Sequence, residues 1–136
     1  MTTDVNSLLP YLLRRENIAR YQDGVVLIGD RRKYPFEKAI YPCHDVETVA
    51  QAIEGMVTQG GGPWLAAALG MALAAREVAG QPDEKVMAHM EKAAARLTNT
   101  RPTNTALARR LEDAVEVVKS ALGAGEPVEK ALLDWV

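Results

Sequence analysis

Gly60-Gly61-Gly62-Pro63-Trp64-Leu65-Ala66-Ala67-Ala68-Leu69-Gly70-Met71-Ala72-Leu73-Ala74-Ala75 decides the fold. Proline is well placed at a first helical position, where its missing N–H would have no intrahelical partner anyway. The segment after Pro63 is apolar on every side, so the helix has no polar face to turn toward water. It is expected to be the central, most buried helix. Alanine and glycine all round let neighbouring helices approach closely. Residues 57–75, 19 in all, lie within a longer stretch that carries no charge, which raises the question of a membrane span. Its glycines, its proline and its few large apolar residues make it too interrupted for that role, and no membrane partner is expected.

Outward from this helix, Gly80-Gln81-Pro82 ends it and a second helical pattern covers 83–97, with Val86, Met90, Ala93 and Leu97 on one side. A further helix is expected to begin at Pro102 and to carry Leu107, Leu111, Val115, Val118 and Leu122, with Gly123 and Gly125 stopping it. The last stretch opens with Pro127 and sets Val128, Ala131, Leu132 and Trp135 on one face. Upstream, Val46, Val49, Ala50, Ile53, Met56 and Val57 form a helical stripe behind Asp45, a natural N-cap. Val25-Val26-Leu27-Ile28 between glycines reads as a strand, and 36–41 as a second one. Residues 30–35 join the two as an antiparallel hairpin, and Pro42 ends the second strand or keeps it at an edge. Residues 9–20, with Pro10 near the start, read as a first helix. Of the 21 alanines, 19 lie from position 50 onward. The expected fold is therefore α+β and mainly α: a short N-terminal antiparallel β-hairpin followed by an Ala-rich helical bundle, with 1–136 forming a single domain.

Composition removes several functions. The formal net charge is -2, which leaves no case for a general nucleic-acid binder. One cysteine rules out an internal disulfide framework and fits a reducing, cytoplasmic setting. Ser7 and Ser120 have no partnered histidine, and His44 and His89 lack metal-ligand spacing. Cys43, beside Pro42, reads as a small buried hydrophobe. No catalytic residue, metal or cofactor is expected.

Two loops stand out because each enters a helix through a proline. In Thr100-Arg101-Pro102-Thr103-Asn104 the arginine sits beside an expected helix N-terminus, whose free N–H groups favour an anion, and its planar fork matches phosphate oxygens. In Gln59-Gly60-Gly61-Gly62-Pro63 the glycines allow close approach of the backbone to a ligand. Arg101, Thr103, Gly60 and Gly61 are the candidate phosphate-binding residues. The ligand expected there is a sugar phosphate or a phosphate ion.

Four segments, in order, resemble a known family. Leu27-Ile28-Gly29-Asp30-Arg31-Arg32-Lys33-Tyr34-Pro35 is similar to a Leu-Asp-Gln-Arg-x-Leu-Pro strand and turn. Residues 46–56 resemble a helix ending in Ala-Ile-x-x-Met. Gly60-Gly61-Gly62-Pro63 and the helix after it resemble an Arg-Gly-Ala-Pro loop with an Ala-Ala-x-Gly helix, and 97–104 resemble a segment carrying Arg-Pro-Thr. The family is that of the methylthioribose-1-phosphate isomerases, the ribose-1,5-bisphosphate isomerases and the regulatory subunits of translation initiation factor 2B. The likeness is to its amino-terminal domain.

The resemblance implies sugar-phosphate contacts from two arginines. The arginine of Arg-Pro-Thr corresponds to Arg101, whereas the place of the other falls near Thr58 or Gln59, neither of them cationic. Losing one charge-assisted contact costs about 1.5–3 kcal/mol, so the phosphate site is expected to be weak. The family's catalytic cysteine and aspartate belong to a carboxy-terminal Rossmann-like domain, and Cys43 does not match that cysteine. The expectation is a stand-alone, non-catalytic binding or interaction module. The alternative is the N-terminal part of a split or truncated aldose–ketose isomerase whose catalytic domain lies on another chain. A small autonomous enzyme of another kind ranks last, for want of an acid/base or nucleophile constellation. Both leading readings predict an exposed apolar face at Val128, Leu132 and Trp135, covered by a second copy or another chain.

Overall fold

The computed structural model describes residues 15–32, 39–58 and 62–136. A short helical turn, α1 (Arg15–Ile18), leads into three strands, β1 (Ala19–Gln22), β2 (Val25–Gly29) and β3 (Ile40–Cys43). Five helices follow: α2 (Val46–Glu54), α3 (Gly62–Glu77), α4 (Asp83–Thr98), α5 (Thr105–Ala124) and α6 (Val128–Trp135). The sheet is antiparallel in the order β1-β2-β3. This is the expected sheet-then-bundle architecture with one strand more.

The extra strand corrects the expectation of a helix over 9–20: its first residues lie outside the described ones, and Ala19 and Arg20 belong to β1. The cause is the two-residue turn Asp23-Gly24. Both residues have positive φ, 52° and 75°, and Gln22 faces Val25. Such a turn matches the strand twist and folds the chain back as a hairpin. Ala19 lies opposite Ile28, and Val26 opposite Cys43, and all four side chains are buried. The strand expected at 36–41 is instead β3; residues 36–38 lie outside the described ones. Pro42 sits opposite Leu27 on an edge strand, where its missing N–H interrupts no inner ladder.

The Ala-rich helix after Pro63 is central. From Leu65 to Ala75 every residue of α3 is buried, and α3 touches β1, β2, α2, α4, α5 and α6. Small side chains permit this crowding. A β-carbon at Gly70 would lie 3.1 Å from Val49 Cγ1 and 3.6 Å from Leu97 Cδ1, so α2 and α4 both press on that point. Asp45 caps α2, its carboxylate accepting the backbone N–H of Thr48 at 2.7 Å. In α5 the buried line runs through Leu107, Leu111, Ala114, Val118 and Ala121. Val115 and Leu122 are only partly buried there, so the face turned to the core is rotated from the expected stripe. Among the described residues no helix is long and apolar enough to cross a membrane.

The end of the chain differs from expectation. Leu132 is completely buried, Val128 and Trp135 pack on the core, and Trp135 tilts against Trp64 with ring centroids 6.4 Å apart. Of the face expected to be open at Val128, Leu132 and Trp135, Leu132 is thus covered within the chain by α3 and α5, while Val128 and Trp135 stay partly exposed. At its other end α6 is tied to the hairpin. The Tyr21 hydroxyl donates to the Glu129 carboxylate, Arg76 lies 3.6 Å from the same group, and the Arg76 guanidinium lies over Gly24.

Candidate functional site

Described residues of three segments that carry the family likeness meet beyond the C-terminal end of α2. There the chain turns through Gly55 and Met56. The N–H of Gly55 donates to Gln51 O at 2.8 Å, that of Met56 to Ile53 O at 3.2 Å, and that of Val57 to Ala52 O at 3.0 Å. This is a helix stop that normally places glycine in the left-handed conformation. Here Met56 occupies it, with φ 63°, and its side chain is 41% exposed.

Two other loops close on this turn. From the sheet, the Arg31 N–H donates to Val57 O at 2.8 Å. The buried carboxylate of Asp30 accepts from Arg32 three times, from its backbone N and Nε at 3.0 Å and from Nη2 at 2.9 Å. Those bonds hold the Arg32 guanidinium charged, with its Cζ 5.8 Å from the centre of the Tyr41 ring. From the segment between α4 and α5, Arg101 reaches back across the turn. Its Nη2 donates to Ile53 O at 2.9 Å and lies 2.9 Å from Met56 Sδ. A cation at this place is favoured by the partial negative charge of the α2 C-terminus. The Arg101 Nε–H is buried and has no acceptor among the described residues.

The start of α5 is corrected. It begins at Thr105 rather than Pro102, with the Asn104 side chain accepting the N–H of Leu107 at 3.0 Å. An asparagine cap takes a free N–H that the expectation offered to an anion, and Arg101 points toward α2 instead. Thr103 is exposed in the turn between. Gly60 and Gly61 lie outside the described residues. Thr58, near the place of the family's other arginine, is buried against α3. A β-carbon at Gly62 would fall 1.7 Å from Thr58 Oγ1, so glycine alone fits there.

Among the described residues no side chain at this corner is poised as a nucleophile. Cys43 lies wholly buried, and desolvation, then the Asp45 charge, pushes its thiol up to about 12. Among the described residues no group of three His, Cys, Asp or Glu side chains gathers for a metal. Reading the sequence missed three features: the Asp30–Arg32 clamp, the left-handed Met56, and the Arg101 bond to Ile53. Only the first had a local signal, an aspartate two residues before an arginine at a strand end.

This small antiparallel sheet on an Ala-rich bundle, with three motif loops gathered at one helix end, has counterparts among known proteins. The chain is 29% identical over 133 residues to the methylthioribose-1-phosphate isomerase of Nostoc punctiforme, covering 97% of this chain and 35% of that protein. The crystal structure of 5-methylthioribose 1-phosphate isomerase from Pyrococcus horikoshii superposes with a TM-score of 0.73 at 28% identity, over 85% of this chain and 32% of that one. Translation initiation factor 2B subunit delta from A. fulgidus gives 0.75 at 31% identity, over 86% and 34%. No family model matches. The chain belongs to the family of methylthioribose-1-phosphate isomerases and factor 2B subunits, and corresponds to their amino-terminal part. It spans about a third of the length of the relatives it matches.

Proposed function

We propose that this chain is a binding module that does not by itself interconvert an aldose and a ketose. In this reading the corner beyond α2 takes the phosphate of a sugar phosphate through Arg101, with Thr103, Gly60 and Gly61 as further contacts. One observation carries it: Arg101 keeps a buried guanidinium N–H without an acceptor among the described residues while its Nη2 is held by Ile53 O. Leaving such a donor unsatisfied costs about 1–3 kcal/mol, and one phosphate oxygen reaching it removes that cost. The family resemblance, which gives this arginine a phosphate contact, supports the same reading. The absence of a cation at Thr58 limits the affinity. The lone buried cysteine supports a cytoplasmic setting.

Titration with inorganic phosphate, followed by amide NMR, tests the site. Shifts confined to 53–58 and 101–105 at millimolar phosphate, lost in Arg101→Ala, are expected. Unmoved amides overturn the reading. Catalysis has its own test: the purified chain incubated with methylthioribose 1-phosphate is expected to form no ketose above background, and measurable turnover overturns the module. Proton or hydride transfer between C1 and C2 needs reacting groups, and the Cys43 thiol, buried and pushed up to about 12, is not one.

A second reading, the amino-terminal part of a split isomerase, is favoured by the coverage of only about a third of the isomerase relatives. Adding a catalytic domain from such an isomerase in trans then restores turnover, and Arg101→Ala in this chain abolishes it.

A further inference from the structure

We infer that Met56 is an oxidation site that controls Arg101. Three independent features meet at this residue. Its side chain is 41% exposed, whereas Met71 and Met90 are fully buried in the core. Its backbone is fixed in the left-handed region, φ 63°, by the hydrogen bonds of the Gly55 and Val57 amides to α2, so the residue is held at a defined place in the turn. Its Sδ lies 2.9 Å from Arg101 Nη2, beside a guanidinium whose Nε–H has no acceptor among the described residues.

A thioether is a weak acceptor, and a sulfoxide oxygen is a strong one. The reaction takes a peroxide. The sulfur lone pair attacks one peroxide oxygen, the O–O bond breaks, and the other oxygen leaves as water after proton transfer. Sulfur is oxidised by two electrons and the peroxide is reduced by two. The new oxygen is borne on the atom that already faces Arg101, and a flexible methionine side chain lets it turn onto the guanidinium. Arg101 then holds an intramolecular acceptor in place of an external anion. Oxidation thereby ties the segment between α4 and α5 more firmly to the end of α2. Methionine sulfoxide is reducible, so the change is reversible. The effect on an anion rests on the phosphate reading above; the oxidation site and its bond to Arg101 do not.

The test treats the purified chain with hydrogen peroxide and follows Met56, Met71, Met87 and Met90 by peptide mass spectrometry. Met56 is expected to form sulfoxide first, and Met71 and Met90 last. Nitrogen-15 NMR of the arginine side chains then reads the Arg101 Nε–H, which is expected to shift on oxidation in the native chain and to stay unmoved in Met56→Leu. Oxidation of Met56 no faster than of Met71, or an unmoved Arg101 signal in the oxidised native chain, overturns the proposal. Phosphate titrations before and after peroxide separate the two readings. A loss of affinity of about tenfold or more on oxidation is expected. If the reduced chain binds no phosphate while the Arg101 signal still moves on oxidation, the phosphate reading fails and the oxidation site stands.

Discussion

Around α3 the residues from Leu65 to Ala75 are all buried and apolar, and contact between small side chains holds the layers together. At the end of α2 the chain is held by backbone carbonyls, one buried carboxylate and arginines, with a left-handed methionine and a guanidinium N–H that finds no acceptor among the described residues. The interior gains stability from area and density, which fall away when volume is removed. The corner retains local costs that a purely structural loop would not need, and such costs gather where a protein binds something. On the proposed reading stability and binding are thus separated along the chain, and the two regions should respond differently to change.

Leu132→Ala should show the largest effect. The side chain is completely buried where α6 meets α3, and its loss should cost about 2–5 kcal/mol in urea unfolding. A cost well under about 1 kcal/mol would mean that α6 does not pack as described, and would revive the face it covers as a partner surface.

Tyr21→Phe comes next, because it unties the hairpin from α6 without touching the core. Loss of the hydrogen bond to Glu129 should cost about 1 kcal/mol. The pH dependence gives a second reading. Desolvation and then Glu129 raise the Tyr21 hydroxyl to about 12, so the folded state holds that proton more tightly than the unfolded chain does. Its contribution is complete below pH 10 and is lost as pH rises toward 12. Cys43 acts in the same direction from pH 9 upward. Urea midpoints measured from about pH 8 to 11 should therefore fall on the alkaline side, and less steeply in Tyr21→Phe.

At the corner, Met56→Gly should raise stability, by about 0.5–1 kcal/mol. A left-handed side chain costs roughly 1–2 kcal/mol, and the greater freedom of unfolded glycine offsets part of the gain. A drop in melting temperature would show that the Met56 side chain stabilises the turn more than its backbone strains it.

The smallest effect belongs to the surface bridge between α2 and α4. The Arg96 guanidinium bonds Glu47 and Glu54 at 2.9 Å each and holds both carboxyls below their usual range. Their contribution is present above about pH 4.5 and lost as pH falls through the depressed values. Arg96→Ala should flatten the acid limb of the stability curve and leave the neutral plateau nearly unchanged, since exposed pairs contribute little.

Much of this was legible in the sequence, for identifiable reasons. Helices α3 and α4 follow from apolar spacing and from Pro63 and Gly80-Gln81-Pro82, because period and punctuation are local properties. The Asp45 cap is local too. The hairpin turn at Asp23-Gly24 was legible as well, yet helical spacing over 9–20 outweighs it if an Asp-Gly pair flanked by β-formers is passed over. The start of α5 was misplaced because Pro102 and Asn104 compete for the same role, and the asparagine side chain offers an acceptor that a proline lacks.

For this protein the sequence by itself determined most of the elements, the buried centre at α3, and through its ordered motifs the kinship with the isomerases and the factor 2B subunits. All of these depend on neighbours within a few residues or on patterns repeated along one element. Only the tertiary structure decided that α6 folds its apolar face onto α3. It alone also decided that Arg101 turns away from its own helix to Ile53, 48 positions earlier in the chain. Such pairings depend on which surfaces the packed helices bring within hydrogen-bond reach, and no period along the chain records that.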